Sequence, residues 1–142
     1  MRNAETVRFS ITWISLFFLS LFCLAGISAA ADDVPPSPVM PAYWKVIADH
    51  VVPPEQVKIV SAKLGAELKA IRNTIYTIDG RRVQINVIVP VDAANAEKLM
   101  AGLAAMKSEE ALLRKGSVVY EFVGRNNVLP LIAEGREHLA SQ

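Results

Sequence analysis

Residues 71–89 read Ile71-Arg72-Asn73-Thr74-Ile75-Tyr76-Thr77-Ile78-Asp79-Gly80-Arg81-Arg82-Val83-Gln84-Ile85-Asn86-Val87-Ile88-Val89, and how this stretch folds back on itself decides the architecture. Val83, Ile85, Val87 and Val89 alternate with Arg82, Gln84, Asn86 and Ile88. Successive strand side chains point to opposite faces, so 82–89 is a strand with one apolar and one largely polar face. β-Branched residues suit such a pleated, half-buried surface. A strand covered on both sides should lack the Arg, Gln and Asn, which places helices mainly on one face.

The run 71–78 before it is a second strand, and Asp79-Gly80 is a strong hairpin signal because glycine accepts positive φ without a Cβ clash. Two loop lengths are open. A two-residue loop puts Tyr76 and Ile78 on the face of Val83 and Ile85. A three-residue loop, Ile78-Asp79-Gly80 with a glycine bulge, puts Ile71 and Ile75 there instead and leaves Arg72, Thr74 and Tyr76 beside Arg82, Gln84 and Asn86. The second separates polar from apolar better and is preferred; a slip of one residue reverses every side chain.

At the N-terminus, Phe9 to Ile27 carries no charge and runs into Ser28-Ala29-Ala30-Ala31. An apolar core followed by alternating small residues is the pattern of a cleaved export signal, so residues 1–31 are read as a signal peptide. An uncleaved anchor is the alternative, since this run would span about 28 Å as a helix at about 1.5 Å per residue. Losing Arg2 and Arg8 from fifteen basic residues and Glu5 from fourteen acidic ones leaves thirteen of each. A neutral domain argues against nucleic acid or an anionic membrane surface as the main partner. Cys23 is the single cysteine and leaves with the signal, so apolar packing alone must stabilise the domain.

Residues 32–40 hold Pro35, Pro36 and Pro38 and read as a proline-rich linker or arm. Residues 41–142 then form one domain. Tyr43, Trp44, Ile47 and Val51 recur at helical spacing over 41–52, with Trp44 as the anchor of that helix. Pro53-Pro54 opens a second helix with Val57, Val60 and Leu64 as its stripe and Gly65 as its cap. A strand over Val57 to Val60 is the alternative. Pro90 ends the central strand, and Asp92 caps a helix whose buried stripe is Ala96, Leu99, Met100, Leu103 and Met106. Ser108 starts a last turn ending at Lys115. Ser117 to Val123 is a third strand, reached by a parallel crossover. A final helix runs from Val128 to Leu139.

The order is α-α-β-β-α-β-α. The fold class is α+β, a two-layer domain with a small mixed three-stranded sheet, four-stranded if Val57 to Val60 is a strand, and helices mainly on one face. In architecture alone it resembles ferredoxin-like sandwiches, one strand short.

Catalytic signatures are missing: the sequence has no phosphate-cradling glycine loop, nucleophile elbow, cysteine pair or His-Glu zinc motif. Asp49 and His50 are adjacent, and Glu134 with His138 supplies two ligands where a metal needs more. No catalytic residue, metal or cofactor is therefore assigned. Two binding surfaces remain. One is the helix-free sheet face, with Arg72, Tyr76, Arg82, Gln84 and Asn86 as its recognition residues, beside Thr74 and Glu121. The other is the loop Gly124-Arg125-Asn126-Asn127 ahead of a helix N-terminus, where free N–H groups attract anions. Arg125, Asn126 and Asn127 are its candidates. The sequence thus points to an exported, non-enzymatic binding or interaction module of the cell envelope, taking a protein partner or a small polar ligand. A structural accessory subunit is the second reading, and a small hydrolase using His50 or His138 a distant third.

Overall fold

The computed structural model describes residues 34–142, so the expected signal peptide, residues 1–31, lies outside the described residues. Five strands and three helices follow one another as β1 (Lys45–Val51), α1 (Pro54–Leu64), β2 (Leu68–Ile78), β3 (Arg81–Pro90), α2 (Ala93–Ala104), β4 (Leu112–Lys115), β5 (Val118–Val123) and α3 (Leu129–Ala140). The strands form one sheet in the order β1-β2-β3-β5-β4. Every neighbouring pair is antiparallel. The class remains α+β, but the expected small mixed sheet of three or four strands is a five-stranded antiparallel one.

Two segments expected to be helical are strands. Lys45–Val51 pairs with β2, and its residues are exposed on nearly every side. An edge strand buries too little to show a period of two, so its pairing with β2 overrides a chance helical spacing. Leu112–Lys115 turns back on β5 through Gly116-Ser117, with Gly116 at φ 61°. A Gly-Ser pair between two short runs is a hairpin signal. This hairpin also removes the expected parallel crossover. The chain passes β3, lays β4 on the outside, and returns antiparallel beside β3 as β5. Val57 to Val60 lies in α1, so it adds no strand.

The β2–β3 turn is the two-residue form. Ile78 faces Arg81 and Tyr76 faces Val83. Asp79 at φ 50° and Gly80 at φ 75° take the positive values that a type I′ turn requires. The preferred three-residue loop is therefore overturned, because the I′ turn matches the right-handed twist of the strands it joins. It places Thr74, Tyr76 and Ile78 on the face of Val83, Ile85 and Val87, and Phe122 joins them from β5.

Helices cover both faces. α3 supplies Leu131, Ile132 and Leu139 to the first core, with Trp44 and Tyr76 in edge contact at 5.7 Å. A Cβ on Gly135 would meet Trp44 Cη2 at 2.7 Å, so only glycine lets α3 approach the indole. On the other face, Val57 of α1 with Leu99 and Leu103 of α2 packs on Ile71, Ile88, Leu112 and Val119. Asp92 caps α2 by accepting the Asn95 N–H at 2.8 Å.

Gly80→Ala should destabilise the domain by about 1 kcal/mol, the cost of forcing a Cβ into left-handed geometry. Denaturant midpoints of the two proteins check it; an unchanged midpoint would contradict the turn.

Candidate functional site

Strand register sorts the face carrying Gln84 and Asn86 into four rows running across the sheet. The first is Ile71, Ile88 and Val119, roofed by α1 and α2. The second is His50, Asn73, Asn86, Glu121 and Leu112. The third is Ala48, Ile75, Gln84 and Val123, all half-buried. The fourth, at the hairpin end, is Lys45, Thr77 and Arg82. The face is thus half roofed, which corrects the expectation that it is free of helices.

Asn86 and Glu121 of the second row and Gln84 of the third form a largely buried polar network. Gln84 Nε2 donates to Asn86 Oδ1 at 2.6 Å, and Asn86 Nδ2 donates to Glu121 Oε2 at 2.7 Å. Lys107 Nζ, just past α2, reaches the other oxygen of Glu121 at 2.5 Å. The two side chains of this ion pair are only 15% and 6% exposed. Asn73 faces Asn86 across the strands at 1% exposure, and neither its amide nitrogen nor its amide oxygen has a partner. Both Glu121 oxygens are engaged, so the carboxylate is a clamp on the end of α2 rather than a base facing a substrate. Among the described residues no group of three His, Cys, Asp or Glu could hold a metal ion. A mostly apolar cleft of about 430 Å³ opens beside Lys107, between Met106, Phe122 and Leu129.

Of the residues expected to share one surface, Gln84, Asn86 and Glu121 come together and Arg82 lies exposed two rows away. Arg72, Thr74 and Tyr76 lie on the opposite face, displaced by the one-residue difference in the turn. There they hold residues 34–41 against β1 and β2. Asp49 accepts from Arg72 Nε at 3.1 Å, Thr74 Oγ1 at 2.9 Å and Ser37 Oγ at 2.9 Å. Arg72 also donates to the Pro35 carbonyl at 2.7 Å, and the Tyr76 hydroxyl donates to the Pro38 carbonyl at 2.6 Å. Burial pushes the Tyr76 phenol up to about 12, with the Asp49 carboxylate adding to the shift and Arg72 opposing it.

Arg125, Asn126 and Asn127 are exposed in a short 3-10 turn joined to α3 through Val128, which gives that helix no side-chain cap. They contact none of the second row's hydrogen bonds. Asn73 and Lys107 were not legible as members of the network. Asn73 could be found only from the correct register, and Lys107 reads locally as the frayed end of a helix.

Lys107→Met should cost about 3–5 kcal/mol, because it strands a buried carboxylate, whereas Lys107→Met/Glu121→Leu should recover most of that loss. Equal destabilisation of the single and double variants in urea would refute the clamp. The raised Tyr76 phenol sets an alkaline limit. Its contribution is fully present below pH 10, where the unfolded phenol is protonated, and falls as pH rises toward 12. Tyr76→Phe should reduce that slope, leaving the part that burial of Tyr120 contributes, and absorbance titration should lose one high-pH tyrosine.

No family model matches the chain. No curated protein and no solved structure matches it either.

Proposed function

We propose that the chain is an exported, non-enzymatic interaction module that takes a protein partner along the free edge of β1. One observation carries this reading. Among the described residues, five of the eight exposed large hydrophobics, Val39, Tyr43, Val46, Ile47 and Val51, lie within or just before this strand. β1 is also an end of the sheet, so one side of its backbone has no strand partner. An open edge with apolar side chains is what an added strand uses: backbone hydrogen bonds supply affinity and the side chains supply selectivity. Among the described residues, the best-shielded acid and base joined in an ion pair, Glu121 and Lys107, are spent on each other. That leaves surface chemistry as the working part. The export reading rests on the sequence of residues 1–31. The accessory-subunit reading differs only in that the partner stays bound for the life of the complex.

Native mass spectrometry on protein gently recovered from the envelope or medium of the producing cell tests this. The expected result is the mass of residues 32–142 carrying a bound partner chain. Ile47→Lys should weaken that complex about tenfold and leave the melting temperature unchanged, since Ile47 is 48% exposed. A chain retaining residues 1–31 in membranes would overturn the export reading. Binding indifferent to Ile47→Lys would overturn the β1 edge.

A further inference from the structure

The half of the sheet face that α1 and α2 leave bare has its own chemistry. Its floor is the half-buried row of Ala48, Ile75, Gln84 and Val123. Its rim is Lys45 and Arg82, flanking Thr77 about 10 Å apart by strand spacing. Both are exposed, and neither has an ion-pair partner among the described residues. Gly124 lies against the Arg82 carbonyl, which brings the exposed Arg125 to the same end of the sheet. Arg81, opposite Ile78, belongs to the other face and lies 4.0 Å from Asp79. Lys45 and Arg82 are therefore the exposed cations of this half-face, while residues 32–142 as a whole carry thirteen charges of each sign.

We propose that this bare half-face docks an acidic amphipathic helix of a partner protein. A sheet face offers side chains and no free backbone, so its occupant must bring complementary side chains. A helix does so with an apolar stripe about 100° wide and charges on its flanks. Helices already cover the neighbouring half of this same face, so the sheet accepts that kind of layer. The stripe would lie on Ile75 and Val123, and its acidic flank would meet Lys45 and Arg82. Opposite charge at the rim selects the partner and speeds encounter more than it adds affinity. This surface is separate from the β1 edge and shares with that reading only the premise of a protein partner.

The test uses the full processed chain and three probes. These are a Leu/Ala/Glu amphipathic peptide of about 18 residues, or five helical turns, its Lys-for-Glu counterpart, and phosphatidylglycerol-containing vesicles. Amide shifts in the ¹⁵N-labelled protein should move at Ile75, Gln84 and Val123 with the acidic peptide and stay put with the basic one. Lys45→Glu/Arg82→Glu should weaken the acidic peptide about tenfold, and raising salt from about 0.05 M to about 0.5 M should weaken it likewise. Equal binding of the two peptides, no binding of either, or indifference to the double variant would overturn the proposal. Tighter binding to the vesicles than to the peptide would overturn it in favour of a lipid surface. Shifts confined to Val46, Ile47 and Val51 would overturn it while leaving the β1 edge standing, whereas Ile47→Lys failing to affect the native partner leaves this test untouched.

Discussion

The structure depends on two positive φ angles, at Asp79 and Gly80. They make the β2–β3 loop two residues long, and that length decides which side chains meet. With Tyr76 opposite Val83, the aromatic core closes on one face and the amide row forms on the other. One more residue in the loop would carry Tyr76 among Arg82 and Gln84 and bury Ile75 in its place. The register then propagates outward. β5 aligns Phe122 with Ile85 and Glu121 with Asn86, and β1 aligns Asp49 with Thr74 and His50 with Asn73. Each strand inherits its facing from a turn worth about 1 kcal/mol in itself.

Beside the apolar core under α1 and α2, the network of Gln84, Asn86, Glu121 and Lys107 does different work. Burying two charges is expensive, and their mutual attraction offsets that cost only when the geometry is good and the remaining atoms are bonded. Here both carboxylate oxygens have donors at 2.5 and 2.7 Å. The network contributes position more than stability, fixing where α2 ends and how far its roof extends over the sheet. Asn73 is the exception. Its unpartnered amide costs on the order of 1–3 kcal/mol, which the apolar burial elsewhere in the domain must offset. On the opposite face the same logic gives Asp49 three donors, which turns the proline-rich segment into part of the wall over Tyr76.

The parts of this fold written in local pattern were legible, and the parts written in pairing were not. β2, β3 and β5 alternate clearly, Asp92 and Gly65 mark helix ends, and the stripe of α2 runs through Ala96, Leu99 and Leu103 as its spacing requires. β1 and β4 are the strands at the edges of the sheet, where one flank is solvent and alternation fades. The candidate site divides the same way. Gln84 and Asn86 were legible as face-mates because they stand two apart on one strand, whereas the place of Glu121 beside Asn86 depends on an antiparallel β3–β5 pairing that the expected parallel crossover lacks. Arg72 and Tyr76 were assigned to the wrong face because separating polar from apolar favoured a loop that the backbone of Asp79-Gly80 does not make. The misleading polarity has a physical origin, since Arg72, Thr74 and Tyr76 spend their polar atoms on Asp49 and on the carbonyls of residues 35 and 38.

An open edge strand with exposed Val46, Ile47 and Val51 invites pairing with any other strand, including a second copy. β1 carries two features that restrict this. Its register shifts at Ile47, where a bulge sets Val46 and Ala48 out of step along β2. Antiparallel pairing of two copies along this edge would have to accommodate that irregularity in both strands. Pro53 and Pro54 then end the strand and withhold two backbone donors. These constraints penalise self-association without closing the edge to a segment of different spacing, which is the condition for a selective surface. The bulge also turns Lys45 toward the half-bare face while Asp49 points to the other, so one strand separates a cationic rim from the carboxylate that would have neutralised it.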